Sequence, residues 1–275
     1  MSAPLPTSEF TSGDAGHSFA ASNCSPARFH LDLFSGIGGF ALAAQRAGIK
    51  TIGFAEIDTY ASRTLNKHWP TVPNFGDVRN ITADTIREPL FVLTGGFPCQ
   101  PFSAAGQQAG RDDDRYLWPE MLRIVEALRP TWMLGENVPP LVELALDEVL
   151  DGLEAAGYSA QPFIVPACAV GARHRRDRVW IVANDTRVRR DERGAIESVF
   201  GMVQTPGGCG LLEPDGSNEA SGALLDPWPP EPQVVRVVHG VSKRLDGIKG
   251  LGNAIVPEIA FRFFSMMLEC ERTWL

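Results

Sequence analysis

The stretch that decides the fold class is DLFSGIGG, residues 32–39, which joins an apolar run to a helical pattern through closely spaced glycines. The run at residues 29–34 (FHLDLF) predicts a strand. Apolar residues at helical spacing over residues 40–47 predict a helix that stops at Gly48. Glycines let a backbone approach a ligand where a Cβ would clash. The stretch therefore predicts a strand, a ligand-binding turn and a helix.

The alternation of strands and helices continues along the chain and predicts an α/β fold with a doubly wound, mostly parallel, seven-stranded sheet. After the first strand, further strands are predicted over residues 51–55, 74–76, 90–94, 131–134, 161–165 and 179–183, and helices over residues 58–68, 141–155 and 256–272. Asp58 or Thr59 is the predicted cap of the helix at residues 58–68. Ligands of such sheets bind beyond the carboxyl ends of the strands.

The chain divides into four segments by composition. Residues 1–28 are rich in Ser, Ala, Pro and Gly and predict a disordered tail. Residues 29–183 carry the strand and helix pattern and predict the ligand-binding domain. Residues 184–232 hold many Gly and Pro residues and predict a small loop-rich region, and residues 233–275 end in the last helix.

Composition excludes several classes of protein. The net charge of −8 argues against nucleic-acid binding through overall charge, so any such binding needs local basic patches. No apolar run approaches the ~20 residues of a membrane helix, and the start MSAPLPTSEF does not resemble a secretory signal. The five cysteines form no C-x-x-C pair, which argues against a zinc ribbon. We expect a cytoplasmic protein with reduced thiols.

Glu56 stands at the end of the second predicted strand, at the same edge of the sheet as the glycines. A carboxylate there can accept both hydroxyls of a ribose, so the two features predict an adenosine-type cofactor. The spacing G-x-G-G fits a pyrophosphate cofactor less well than G-x-G-x-x-G would. Asp77, after the third strand, can accept from an adenine amino group. The alternative is a tight turn beside solvated carboxylates.

Cys99 lies in GGFPCQPFS, residues 95–103, directly after a predicted strand and between two prolines. This position exposes the sulfur above the sheet, near the expected cofactor. A thiolate in such a place can act as a nucleophile. The alternative is a buried structural cysteine, which we assign to the other four: Cys24, Cys168, Cys209 and Cys270.

Two further polar segments follow strands. Glu136, in Glu-Asn-Val, can act as a proton donor if its burial raises its pKa. The run RHRRDR at residues 173–178 has a local charge of +3 in an acidic chain. If the run is extended, Arg176 and Arg178 point to one face and suit phosphate or carbonyl recognition. The alternative for this run is a solvated basic turn.

Taken in order, these segments resemble the DNA cytosine-5 methyltransferase family. The resemblance rests on DLFSGIGGF, Glu56, Gly-Asp-Val at 76–78, GGFPCQPFS, Glu-Asn-Val, RHRRDR and Gly-Asn-Ala-Ile-Val-Pro at 252–257. It covers about residues 29–183 and 233–270. The tail segment at residues 231–257 looks most like the phage and prophage branch.

The resemblance implies a fold that binds S-adenosylmethionine and needs no metal. By similarity, the cofactor contacts are Phe34, Gly36, Gly38, Glu56, Ile57, Asp77, Val78, Pro98 and Asn253.

It also implies chemistry on a cytosine flipped out of double-stranded DNA. Cys99 attacks carbon 6, and Glu136 holds ring nitrogen 3 and the exocyclic amino group. Arg178 binds the carbonyl at carbon 2, and Arg176 binds the backbone of the flipped nucleotide. Residues 100–117 resemble the family's mobile catalytic loop. A monomer in the cytoplasm of a bacterial or phage-infected cell is expected, and the sequence leaves open whether a cognate restriction endonuclease exists.

The chain departs from the family pattern in two places. His174 stands where the arginine motif usually opens with Gln. The target-recognition region is short, at residues 184–232, and lacks the usual Arg-Leu-Gln-Gly-Phe-Pro signature. The basic residues that can replace it as phosphate contacts are Arg236, Lys243, Arg244 and Lys249.

Three other functions remain open from the sequence. The same chemistry on a tRNA cytosine uses the same motifs. A non-catalytic DNA-binding relic is disfavoured by the intact Cys99, Glu136 and Arg178. An NAD-linked oxidoreductase explains the glycine turn but neither Pro-Cys-Gln nor Glu-Asn-Val.

Overall fold

The computed structural model describes residues 27–98, 116–187 and 254–273. In chain order the strands are β1 (Phe29–Leu33), β2 (Lys50–Ala55), β3 (Leu90–Gly95), β4 (Trp132–Asn137), β5 (Tyr158–Pro166) and β6 (Asp177–Asp185). The helices are α1 (Gly39–Arg46), α2 (Thr59–His68), α3 (Trp118–Leu128), α4 (Leu141–Leu144), α5 (Leu146–Ala155) and α6 (Pro257–Thr273). Short 3-10 turns cover Val78–Asn80 and Ala167–Val170.

The six strands form one sheet in the order β2-β1-β3-β4-β6-β5. Strands β1 to β4 pair in parallel, and β6 runs antiparallel to both β4 and β5. The predicted α/β class and mostly parallel sheet are confirmed, with six strands among the described residues rather than seven. The segment predicted as the third strand contributes one parallel bridge, between Phe54 and Asn74.

Helices cover both faces of the sheet, as a doubly wound fold requires. One face packs against α3 and α5, through a buried cluster that includes Leu31, Leu33, Leu93, Trp118, Met121, Val149 and Leu153. The other face packs against α1 and α6, through a cluster that includes Phe40, Val92, Leu134, Trp180, Phe263, Phe264 and Met267. Burying these side chains supplies most of the free energy that holds the layers together.

The register brings the candidate site residues to one edge. Leu33, at the end of β1, lies beside Ala55 of β2 and Gly95 of β3. Gly95 lies beside Gly135 of β4. Because β6 is antiparallel, its beginning reaches the same edge, where Val179 pairs with Asn137. The turns after β1, β2, β3 and β4 therefore meet the turn that enters β6.

The helix boundaries differ from the predictions in two places. The predicted helix over residues 141–155 is interrupted at Ala145, where φ is −153°. Helix α3 was not predicted. Asp58 caps α2 as expected, because its carboxylate accepts from the backbone N–H groups of Tyr60 and Ala61 at 2.9 and 3.0 Å.

The last helix is tied to the first. Arg46 of α1 forms an ion pair with Glu258 of α6 at 2.7 Å, and its guanidinium lies 4.6 Å from the ring centre of Phe261. At the far end of the sheet, Asp185 of β6 forms an ion pair with Arg129. No helix among the described residues is both long and apolar enough to span a membrane. The predicted tail, catalytic loop and loop-rich region lie largely or wholly outside the described residues.

Candidate active site

The turn after β1 has the backbone geometry that its glycines permit. Phe34, Gly36 and Gly38 have φ values of 52°, 53° and 89°. The Ser35 hydroxyl donates to the carbonyl oxygen of Asp32 at 2.6 Å, and the Gly38 N–H donates to the Ser35 carbonyl at 2.9 Å. Gly38 caps α1 without a side-chain hydrogen bond. The N–H groups of the first turn of α1 therefore receive no side-chain cap from Gly38.

The two left-handed glycines have different surroundings, which predicts different effects of substitution. A Cβ on Gly36 would meet nothing within 4 Å, whereas one on Gly38 would lie 2.5 Å from the Trp69 ring and 3.0 Å from Leu65. We expect Gly36→Ala to lower the free energy of unfolding by about 1 kcal/mol through backbone strain. Gly38→Ala adds a displaced indole ring and should lower it by about 2–4 kcal/mol. Urea denaturation measures both, and equal losses would contradict this geometry.

Glu56 is held by the turn that follows β2. Its carboxylate accepts from the Gly36 N–H and from the Asp58 N–H, each at 2.7 Å. The Asn74 side chain accepts from the Glu56 N–H and donates to the Glu56 carbonyl, both at 3.0 Å. Asn74 was not singled out from the sequence, because a lone Asn at the start of a short predicted strand carries no functional pattern. It fixes the backbone that presents Glu56 to the glycine turn.

The other cofactor candidates at this edge have distinct environments. Ile57 is 71% exposed and presents an apolar side chain to solvent. Asp77 accepts from the Arg79 N–H at 3.0 Å and pairs with the Arg79 guanidinium at 3.4 Å. The Val78 side chain belongs to the core. Pro98 is half-buried, and Cys99 and Asn253 lie outside the described residues.

Glu136 and Arg178 form an ion pair at the centre of the edge. The Arg178 Nε lies 3.0 Å from the Glu136 Oε1, and their side chains are 18% and 10% exposed. Burial raises the pKa of Glu136 from 4.5 to about 7, against the opposing charges of Arg178 and Arg176. A carboxyl with a pKa near neutrality can donate a proton at physiological pH.

The turn after β3 lies directly against this pair. A Cβ on Gly96 would be 3.4 Å from the Glu136 Oε2. The Asn137 amide donates to the carbonyl of Phe97 at 3.0 Å. Asn137, which belongs to the Glu-Asn-Val motif but was given no role of its own from the sequence, therefore ties the turn that leads to Cys99 to the strand that carries Glu136.

Arg176 is placed differently from the expectation of an extended run. It has φ of 36° and lies just before β6, so Arg176 and Arg178 do not share one extended segment. Its guanidinium donates to the Ala254 carbonyl at 2.9 Å, which joins this turn to the segment before α6. Burial, and then the charge of Arg178, lower the pKa of Arg176, whereas Glu136 raises it. His174 is exposed.

A sequence profile of C-5 cytosine-specific DNA methylases matches residues 29–202, more than half of the chain. The chain belongs to this DNA methylase family. The family resemblance inferred from the motifs is thus confirmed. The methylase fold is also found in a solved structure described as a DNA modification methyltransferase encoded within a prophage of E. coli. That structure has a TM-score of 0.53 and 29% sequence identity, and the match covers 61% of this chain and 49% of that one.

Curated relatives of this methylase match over part of their length. The Type II methyltransferase M.HgiCII of Herpetosiphon aurantiacus is 35% identical over 160 residues, which is 55% of this chain and 36% of that protein. The Type II methyltransferase M.AluI of Cellulosimicrobium cellulans is 37% identical over 193 residues, which is 61% of this chain and 37% of that protein. The methylase thus aligns with little more than a third of these relatives.

Proposed function

We propose that this methylase transfers a methyl group from S-adenosylmethionine to carbon 5 of a cytosine in double-stranded DNA. The observation that carries the proposal is the buried Glu136–Arg178 pair, 3.0 Å apart, against the turn that leads into Cys99. A proton donor and a cation beside a nucleophilic thiol are what an addition to a pyrimidine ring requires. Family membership supports the same reaction.

The residues at the glycine turn fit an S-adenosylmethionine molecule. When bound, this cofactor supplies an electrophilic methyl group on a sulfonium. The Glu56 carboxylate has acceptor capacity beyond its two backbone contacts, so it can also accept ribose hydroxyls. The open space around Gly36 and the exposed Ile57 side chain can take the remainder of the ligand and an adenine face. By family likeness we add Phe34, Gly38, Asp77, Val78, Pro98 and Asn253.

The role of each residue follows from the reactivity of cytosine. Carbon 5 is a poor nucleophile until the Cys99 thiolate forms a bond to carbon 6, which opens the 5,6 double bond and makes carbon 5 electron-rich. Glu136 gives its proton to ring nitrogen 3, and Arg178 binds the carbonyl oxygen at carbon 2. Both interactions stabilise the charge that builds up in the ring. After methylation a base takes the carbon 5 proton, and the carbon–sulfur bond breaks to restore the double bond and release the Cys99 thiolate. Ring nitrogen 3 returns its proton to Glu136.

The substrate and partners are extended to this chain as proposals. The cytosine must leave the duplex, because the ring is unreachable in the stack. We assign target choice to residues 184–232, phosphate contacts to Arg176, Arg236, Lys243, Arg244 and Lys249, and the site of action to the cytoplasm, as a monomer. A cognate restriction endonuclease fits the Type II names of the relatives.

Bisulfite sequencing of plasmid DNA tests the proposal. The methylase and its Cys99→Ser variant are expressed in a host that lacks cytosine-5 methylation. Methylated cytosines in a fixed sequence context, present with the methylase and absent with the variant, are expected. Unmethylated DNA, together with intact binding of S-adenosylmethionine in a titration, would overturn DNA as the substrate and favour a tRNA cytosine or a non-catalytic relic.

A further inference from the structure

A chain of four buried polar side chains crosses the sheet beneath the glycine turn. His30 and Asp32 lie on β1, Thr51 on β2 and Thr94 on β3, and none is more than 7% exposed. The His30 Nδ1 lies 2.9 Å from the Thr51 hydroxyl, and its Nε2 lies 2.8 Å from the Thr94 hydroxyl. The Thr94 hydroxyl lies 2.8 Å from the Asp32 Oδ1. The distances make one continuous hydrogen-bonded chain.

The charge state of Asp32 decides the direction of every hydrogen bond in this chain. An ionised Asp32 accepts from Thr94, so Thr94 must accept from the His30 Nε2–H and Thr51 must donate to Nδ1. A neutral Asp32 that carries its proton on Oδ1 allows the reverse, with the proton of His30 on Nδ1. His30 itself stays neutral, because burial lowers its pKa to about 3. The tautomer of His30 therefore reports the protonation of Asp32.

Asp32 is within electrostatic reach of the proposed cofactor site. It lies two residues before Phe34, and its carbonyl anchors Ser35 of the turn. Burial and, to a smaller extent, the negative charge of Glu56 raise the pKa of Asp32 to about 8 against the Thr94 hydrogen bond. Among the residues that the structure describes, no donor reaches the Asp32 Oδ2. A ligand charge beside Glu56 should act on Asp32 as Glu56 does, with the sign of that charge.

The charged residues on the neighbouring helices largely compensate one another. From α1 and the first turns of α6 these are Arg46, Glu258 and Arg262, with Glu258 lying 2.7 Å from Arg46 and 3.4 Å from Arg262. Strand β3 carries no ionisable side chain, and Lys50 at the start of β2 is exposed. Glu56 and the ligand are thus the groups that most influence Asp32.

We propose that Asp32 is a positioning residue that makes the site bind a cationic sulfonium ligand more tightly than the neutral thioether product, by losing a proton when the cation binds. The inference rests on the proposed cofactor. The proton that Asp32 loses reaches solvent through the hydrogen-bonded chain. Asp32 passes its proton to the Thr94 oxygen, Thr94 passes its own to the His30 Nε2, and the His30 Nδ1 passes its proton to Thr51. The hydroxyl proton of Thr51 leaves to solvent.

Two dissociation constants measured across pH test this. The Kd of S-adenosylmethionine and the Kd of S-adenosylhomocysteine are measured by calorimetry between pH 6 and 9.5. Their ratio removes effects that the two ligands share. Comparison with Asp32→Asn removes those that they do not share, because the sulfonium lowers the pKa of the amino group of its own ligand. A cation prefers the ionised form of Asp32, so the ratio of the S-adenosylhomocysteine Kd to the S-adenosylmethionine Kd should rise as pH approaches about 8 and level off above it. Each unit by which the sulfonium lowers the pKa gives about a tenfold rise.

Variants separate this role from a structural one. Asp32→Asn should lose the rise of the ratio that Asp32 causes, whereas the exposed control Asp151→Asn should behave as the unaltered protein. Thr94→Val breaks the chain and Thr94→Ser restores its hydroxyl, so only the valine variant should alter the pH dependence. In ¹⁵N NMR, the His30 proton should move from Nδ1 to Nε2 when S-adenosylmethionine binds, and not when the product binds.

The outcomes are distinguishable. A ratio with the same pH dependence in the unaltered protein and in Asp32→Asn would overturn the inference and leave the proposed function intact. Absence of any S-adenosylmethionine binding would instead overturn the proposed function. If Asp32→Asn fails to fold, Thr94→Val and Thr94→Ser decide the question beside the unaltered protein. An equal pH dependence of the ratio in these two variants would then overturn the inference.

Discussion

Replacing Glu136 by glutamine is expected to lower kcat for DNA methylation by roughly 10²–10⁴-fold, the usual contribution of a general acid. Glutamine keeps the size and the carbonyl oxygen that faces Arg178, but it has no proton to give to ring nitrogen 3. Because the proposed role of Glu136 is at the base rather than at the glycine turn, the Kd of S-adenosylmethionine should stay within about twofold. Transfer of a tritiated methyl group into duplex DNA measures the rate.

The pH profile adds a second test of the same residue. Burial holds the pKa of Glu136 at about 7, so the acid form is lost as pH rises above that value and kcat should fall with it. Glu126→Gln, an exposed change on α3, is the matched control and should keep the full rate. A Glu136→Gln variant with unchanged kcat would remove Glu136 from the chemistry.

Replacing Arg178 by alanine should lower both activity and stability, with a stability loss that depends on pH. The Glu136 carboxylate would keep its burial but lose its main cation, so its pKa would rise above 7. At pH 5 Glu136 is neutral in either protein, so the missing cation should change the free energy of unfolding of the variant only a little. At pH 9 the unpaired carboxyl should lower the free energy of unfolding by about 3 kcal/mol.

Denaturation of four proteins checks this prediction: the unaltered methylase, Arg178→Ala, Glu136→Gln and the double variant. The double variant carries no buried charge at this position, so it should be more stable at pH 9 than Arg178→Ala alone. A stability loss for Arg178→Ala that is equal at pH 5 and pH 9 would show that the guanidinium acts through packing instead of charge.

Much of the fold is predictable because the spacing of apolar residues within a single segment distinguishes a strand from a helix. The helix predicted over residues 141–155 corresponds to α4 and α5, whose buried residues include Leu141, Val149 and Leu153, even though the backbone breaks at Ala145. Periodicity identifies which face is buried and does not show whether the backbone is continuous. Helix α3 escaped prediction because it starts at Trp118 with no side-chain cap, directly after the segment taken as a loop.

The sequence offered a set of candidate site residues, but it did not show how they are arranged in space. Glu136 and Arg178 meet because β6 pairs antiparallel with β4, which no local pattern specifies. His30, Thr51 and Thr94 are neighbours only because β1 lies between β2 and β3. In the sequence, each of these three is an isolated polar residue within its own strand. Contacts between residues that are distant in sequence depend on strand order, so local composition misses them.

The stretch at residues 188–253 is anchored on both sides in the same domain, which bears on how its sequence can vary. Residues 188–253 join β6 to the segment before α6. On one side of this stretch, Asp185 of β6 forms an ion pair with Arg129. On the other side, the Ala254 carbonyl accepts a hydrogen bond from Arg176. Longer or shorter stretches between fixed points differ little in loop-closure entropy. On the proposed assignment of target choice to residues 184–232, exchanging this stretch would change the sequence preference without moving the Glu136–Arg178 pair.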